Sequence, residues 1–122
     1  MPAKASSPEI DALFGDGTSV SRVVYDALLK AMRGLGPVEI EPKKTCVHVV
    51  AERDGTAFAG IHPRKNGVLL TLRTETAIAS PRVRKTEQAS RNRHHNDLLV
   101  SAPAEIDAEL KRWLNAAYTL VT

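Results

Sequence analysis

The chain has 122 residues, 25% of them charged and 4% aromatic, with a formal net charge of +3, enough for one hydrophobic core and not two. The single cysteine, Cys46, excludes an internal disulfide and a Cys-based zinc site. No apolar run approaches the ~20 residues that cross a bilayer, and no apolar signal core follows Lys4, so a cytoplasmic protein is expected.

Residues 1–6 are small and polar and are expected to fray. Ser7-Pro8-Glu9 then starts a two-turn helix over 8–14, with Ser as cap, Pro at the first position and an acid in the first turn. Ile10, Leu13 and Phe14 share a face, Gly15 ends the helix, and Asp16-Gly17 turns the chain. A longer helix is predicted over 20–34, capped by Thr18 or Ser19. Its apolar stripe is Val20, Val23, Val24, Ala27, Leu28, Ala31 and Leu35, with Arg22, Asp26, Lys30 and Arg33 outside. Gly34, Gly36 and Pro37 stop it.

The period then changes from helical to alternating. Strands are expected at 38–41, 45–52, 56–62 and 68–74. Pro42, Arg53-Asp54-Gly55 and the stretch 63–67 containing Asn66-Gly67 are the turns. Short turns require antiparallel neighbours, so the three long strands form a meander. Residues 75–92 lose apolar rhythm, and 81–89 reads as one or two helical turns. A last strand follows at 94–101, and Ser101-Ala102-Pro103 starts a helix that buries Ile106, Leu110, Trp113, Leu114, Ala117, Tyr118 and Val121.

The expected fold is therefore α+β: an antiparallel sheet of about five strands, with an N-terminal helix or helix pair and a C-terminal helix on one face. Residues 1–17 read as a tail with a short helix, and 18–122 as a single domain.

The charge is strongly polarised. Between His62 and His95 lie eight Lys/Arg and two acids, a local +6; the rest of the chain carries −3. Such a field points to a partner of negative sign. The candidate ligand-binding residues are Lys43, Lys44, Arg64, Lys65, Arg82, Lys85, Arg93 and His95, with Arg84 and Arg91 nearby. In a meander, Lys43/Lys44 and Arg64/Lys65 share one sheet end. There they could converge on phosphate or carboxylate, or remain separate surface charges. Nucleic acid is one possible polyanion, although no aromatics interleave the cations for base stacking.

Other chemistry has thinner support. His94 and His95 are adjacent in a strand and face opposite ways, so they cannot readily share a metal. Glu41-Pro42-Lys43 with Asp26 loosely resembles the acid-x-Lys spacing of metal-dependent nucleases, and His94 or His95 with Asp97 and Ser101 would be a hydrolase set lacking nucleophile-elbow glycines. Phosphate-loop and dinucleotide fingerprints are absent.

Several fragments in order resemble a bacterial family known as "domain of unknown function 5655". They are Val23-Val24-Tyr25-Asp26-Ala27-Leu28, Gly36-Pro37-Val38, Lys44-Thr45, Phe58-Ala59-Gly60-Ile61, Ser80-Pro81-Arg82-Val83, Arg93-His94-His95, Asp107-Ala108-Glu109-Leu110, Trp113-Leu114 and Ala117-Tyr118. The resemblance implies a small cytoplasmic domain, some of whose relatives carry a "predicted transport protein" label or stand beside nuclease-like domains. It brings no catalytic residue set. The leading expectation is a non-catalytic module for an anionic ligand, without cofactor or metal. The alternatives are a homodimerising or partner-docking domain and a metal-dependent nuclease or other hydrolase.

Overall fold

The computed structural model describes residues 8–15, 19–51 and 56–121. The expected tail at 1–6, the caps at Ser7 and Thr18, and the turns at Asp16-Gly17 and Arg53-Asp54-Gly55 lie outside the described residues. The elements are α1 (Pro8–Phe14), α2 (Val20–Arg33), β1 (Val38–Pro42), β2 (Val47–Ala51), β3 (Ala57–Arg64), β4 (Gly67–Thr74), β5 (Val83–Ser90), β6 (Arg93–Val100), a 3₁₀ turn at Pro103–Glu105, and α3 (Ala108–Leu120).

The fold is α+β, with six strands rather than about five. They form one antiparallel sheet in the order β1-β2-β3-β4-β6-β5. The meander extends over β1–β4. The chain then crosses β6, forms β5 at the far edge, and returns as β6 between β4 and β5. Val47, Val49, Ile61, Val68, Leu70, Leu72, Leu98 and Val100 alternate onto one face, where Leu28, Met32, Leu110 and Leu114 of the helices cover them. Cys46 is buried as a small hydrophobe.

Three sequence expectations need correction. First, residues 81–89 are not helical: 83–90 form β5. Only Val83 is even half-buried, so there is no apolar alternation to read. The strand exists because β6 supplies hydrogen-bond partners along its length. Arg84, Lys85 and Glu87 give the outer edge the charges that discourage further pairing.

Second, α2 is rotated from the expected stripe. Val20 and Val23 are 47% and 41% exposed, whereas Ser21, Arg22, Val24, Tyr25, Leu28, Leu29 and Met32 are buried. The cause is α1, which docks across the start of α2 with Ile10 and Phe14 in the core. Phe14 stacks on Tyr25 at 4.4 Å. Ser19 joins the helices, its hydroxyl donating to the Phe14 carbonyl (2.6 Å) and accepting from the Arg22 N–H (3.1 Å). Arg22 lies inside because Asp11, Asp26 and the Gly15 carbonyl surround its guanidinium.

Third, the last helix begins later than Ser101-Ala102-Pro103. Pro103 opens only a 3₁₀ turn, and Asp107 caps α3 by accepting from the Leu110 N–H at 3.0 Å. Of the expected stripe, Leu110, Leu114, Ala117 and Val121 are buried, while Ile106, Trp113 and Tyr118 pack at the margin.

Candidate functional site

Because the helices cover one side of the sheet, the other carries no described element. Strand pairing aligns the side chains of this open face in rows. One row runs Glu41, His48, Gly60, Thr71, Asp97, Lys85; a neighbouring one runs His62, Leu69, Leu99; a third holds Arg73, His95 and Glu87. Thr71 donates to Asp97 across strands at 2.7 Å, which divides the face into two depressions.

The larger depression is a cleft of about 450 Å³ at one sheet end. Arg64 and Lys65 reach it from the β3–β4 turn, and Arg84 and Lys85 from the start of β5. These segments meet because β3 and β6 both run towards this end, where β4 and β5 begin. Leu69 and Leu99 supply an apolar lining, with Asp97 and Ser101 as the polar groups among it. Gly67 is required at the turn: its φ is +156°, and a Cβ there would collide with the Val100 carbonyl oxygen. Among the described residues, Arg64, Lys65, Arg84 and Lys85 form no salt bridge. Arg64 donates only to the Pro63 carbonyl, at 2.9 Å. Four cations without carboxylate partners around one cavity create a positive potential that favours an anion.

The remaining candidate residues lie elsewhere. Lys43 and Lys44 occupy the β1–β2 connection at the same sheet end, about two strand spacings or ~10 Å from the β3–β4 turn, and Lys43 pairs with Glu41 at 3.5 Å. Arg82 is on the helical side. It donates to Asp107 and Glu109 (both 3.1 Å) and to the Glu105 carbonyl (2.8 Å), and lies 5.5 Å from the Trp113 ring centre. The bond from the Leu110 N–H, aided by Arg82, holds the Asp107 carboxyl below its ordinary pKa. Arg82 thus fastens the crossover to the start of α3. Arg93 is at the opposite end of the sheet, beside the β5–β6 turn, donating to the Asn92 carbonyl at 2.8 Å. The eight residues are therefore not one cluster, because the β5–β6 hairpin carries its two ends about eight residues apart.

The smaller depression, about 170 Å³, is a hollow over Gly60 walled by His48, His62, Thr71, Arg73 and His95. His94 points the other way, its Nδ1 lying 3.2 Å from the Glu75 carbonyl. Burial lowers the pKa of His48, helped by Lys43 and Arg73 against the opposing Glu41; burial and Arg64 do the same for His62 against Asp97. Sequence reading selected His95 but not the hollow, although the odd–even alternation of His48, Gly60, His62, Thr71 and Arg73 was there to be seen.

A pH dependence of stability follows from the two lowered values. The unfolded histidines, at the ordinary 6.5, bind protons before the folded ones do. Just below pH 6.5 the unfolded state therefore holds more protons, so stability rises with pH through this window and falls on acidification. Urea midpoints at pH 7.5 and 5.5 should show the loss, and the His48→Gln/His62→Gln double variant should show less of it. An equal loss in both proteins contradicts the assignment.

The groups of the nuclease reading are spread apart: Asp26 is on α2 in a 3.1 Å bond with Arg22, while Glu41 and Lys43 are at β1. Among the described residues, no three of His, Cys, Asp or Glu are placed to hold a metal ion. No helix is long and apolar enough to cross a membrane. A still larger groove, about 540 Å³, lies between α2 and α3, lined by Ala27, Ala31, Leu35, Ile106 and Leu114 with Lys30 and Lys111. Its charged lining is Lys30 and Lys111 against the four cations of the cleft, so size alone does not make it the better site.

Compared with known proteins, the chain matches over residues 10–121 the model of one family, described as "Domain of unknown function (DUF5655)". No curated protein and no solved structure matches it.

Proposed function

We propose, for a chain that belongs to the DUF5655 family and takes no activity from that family's description, a function as a non-catalytic binding module for a small anionic ligand. The ligand is a phosphorylated or carboxylated compound held in the 450 Å³ cleft. The observation that carries this reading is the set Arg64, Lys65, Arg84 and Lys85 around one cavity with no carboxylate partner among the described residues. The two arginines can give paired hydrogen bonds to an oxyanion, and the lysines add point charge. Leu69 and Leu99 offer a seat for an apolar or planar part of the ligand. Asp97 can accept from a ligand hydroxyl or amine, which favours a compound carrying one.

The test is a titration with pyrophosphate and with a nucleoside monophosphate, followed through the methyl signals of Leu69 and Leu99. Saturable shifts are expected, and the Lys65→Glu/Arg84→Glu variant should bind at least about tenfold more weakly, since each charge-assisted bond contributes about 1.5–3 kcal/mol. Heparin retention that falls steeply with salt should weaken in the same variant. Methyl signals indifferent to both probes overturn the reading.

The second reading, a docking face for another copy or a partner protein, is supported by the uncovered sheet face and by Leu99, which is 37% exposed there. Against a second copy stands the sign of the face, because like-charged surfaces brought together repel. A mass in light scattering that rises with concentration would favour this reading over the first.

A further inference from the structure

We propose that the hollow over Gly60 is a second oxyanion subsite, in which Arg73 and the imidazoles of His48, His62 and His95 hold one phosphoryl-sized group. It lies beyond the cleft just described and shares none of the cleft's four cations.

Gly60 is the first observation. It stands in the middle of an eight-residue strand, paired with His48 on one side and Thr71 on the other. Glycine weakens a strand there, and it usually marks a bulge or a close approach. Neither backbone nor crowding demands it. Among the described residues, the glycines with positive φ are Gly15, Gly36 and Gly67. A Cβ at Gly60 would make only ordinary contacts, 3.8 Å to His62 Nε2 and 3.9 Å to His48 Cδ2 and to Thr71 Cβ. What the missing side chain does is keep the hollow open between the two imidazoles.

The walls are the second. Among the described residues, every ionisable group lining the hollow is an arginine or a histidine, and no carboxylate is among them. The adjoining Asp97 lines the cleft rather than the hollow and accepts from the Thr71 hydroxyl through Oδ1. Arg73 and the three histidines make no side-chain hydrogen bond or salt bridge with any described residue. These donors are therefore free to bind, and they sit half-buried, where a charge-assisted bond is stronger than in open water. A volume of 170 Å³ corresponds to about five or six water molecules. That suits a five-atom oxyanion.

Protonation couples to such binding. Lys43, Arg73, Glu41 and His62 face His48; Arg64 and Asp97 face His62. Arg73 and Glu87 lie opposite His95 on the neighbouring strands. Burial, the largest cause, lowers the pKa of both imidazoles, so His48 and His62 are neutral at pH 7. An anion in the hollow favours their protonated forms, and binding takes up protons.

Sulfate, whose charge is constant between pH 6.0 and 7.5, is titrated beside inorganic phosphate while the imidazole Cε1–H signals are recorded. Saturable shifts of His48, His62 and His95 are expected, with sulfate binding about three- to tenfold tighter at pH 6.0. Gly60→Ala should fold, raise the unfolding midpoint and weaken binding at least about tenfold; Arg73→Gln should weaken it similarly, with partial recovery in Arg73→Lys. Lys65→Glu/Arg84→Glu should leave the imidazole response within about twofold of the parent, which separates this subsite from the cleft. Imidazole signals that do not saturate, binding unchanged in Gly60→Ala and Arg73→Gln, or a response lost with the cleft cations each overturn the subsite.

Discussion

Replacing Asn96 by Ala is expected to cost about 3–4 kcal/mol of stability, more than removing any cation of the open face. Asn96 is fully buried on the helix-facing side of β6. Its Oδ1 accepts from the Ile78 N–H (3.0 Å) and the Thr86 hydroxyl (3.1 Å), and its Nδ2 donates to the Leu72 carbonyl (3.2 Å) and the Thr74 hydroxyl (2.8 Å). One amide thus ties β4, the crossover and β5 to the strand between them. Alanine would leave the Ile78 N–H and the Leu72 carbonyl without this partner, at about 1–3 kcal/mol for each group that water cannot reach, and would open a small cavity; the exposed Thr86 hydroxyl can turn to water and Thr74 keeps the Thr76 carbonyl. Thr86→Val removes one spoke and should cost about 1 kcal/mol. Urea unfolding measures both, and hydrogen exchange at Ile78 should quicken selectively in Asn96→Ala. A loss below 1 kcal/mol for Asn96→Ala would show that the network adds little.

Arg22→Ala is expected to cost about 2–3 kcal/mol. Arg22 is 5% exposed, and its guanidinium bonds Asp11 and the Gly15 carbonyl at 2.7 Å each and Asp26 at 3.1 Å. Removing one member of a buried pair ordinarily costs about 3–5 kcal/mol, because a charge is left stranded. Here the two carboxylates are about half exposed, so water can take them over, which places the loss below that range. Arg22→Met keeps the apolar stem and should recover about half of the loss. The effect belongs to the joint between α1 and α2, so α1 amides should exchange faster in Arg22→Ala. Equal stability of the Ala variant and the parent would mean that α1 docks through Ile10 and Phe14 alone.

These two residues show where sequence reading stopped. Arg22 falls among charges that look like a solvated face, and the competing apolar stripe through Val20 and Val23 has an equally good helical period. Periodicity gives a stripe's spacing but not its phase against a neighbouring helix, and α1 supplies the phase. Asn96 alternates correctly with Leu98 and Val100, yet a polar residue at an inward position announces itself only once its partners, 10 to 24 residues away, are in place. Strand β5 has no apolar signal at all, since an exposed edge strand needs only one neighbour's hydrogen bonds.

The candidate site was legible to the same extent. Alternating direction in a meander puts the β1–β2 and β3–β4 turns at one end, so the common end of Lys43, Lys44, Arg64 and Lys65 follows from turn lengths alone. Arg82 could not be sorted from Arg84: two positions apart in sequence, they go to opposite sides of the sheet. Trp113, Asp107 and Glu109, which hold Arg82, arrive from the last helix.

From the amino-acid order come the α+β class, the meander, most element bounds, and the concentration of positive charge between His62 and His95. All of these are local, set by side-chain period, turn chemistry and composition. The insertion of β6 between β4 and β5, the burial of Arg22 and Asn96, and the gathering of Arg73 with three histidines around Gly60 depend on contacts between distant segments. Pairing and packing choose those contacts only when the whole core closes, because each is favourable only with its partners already in position.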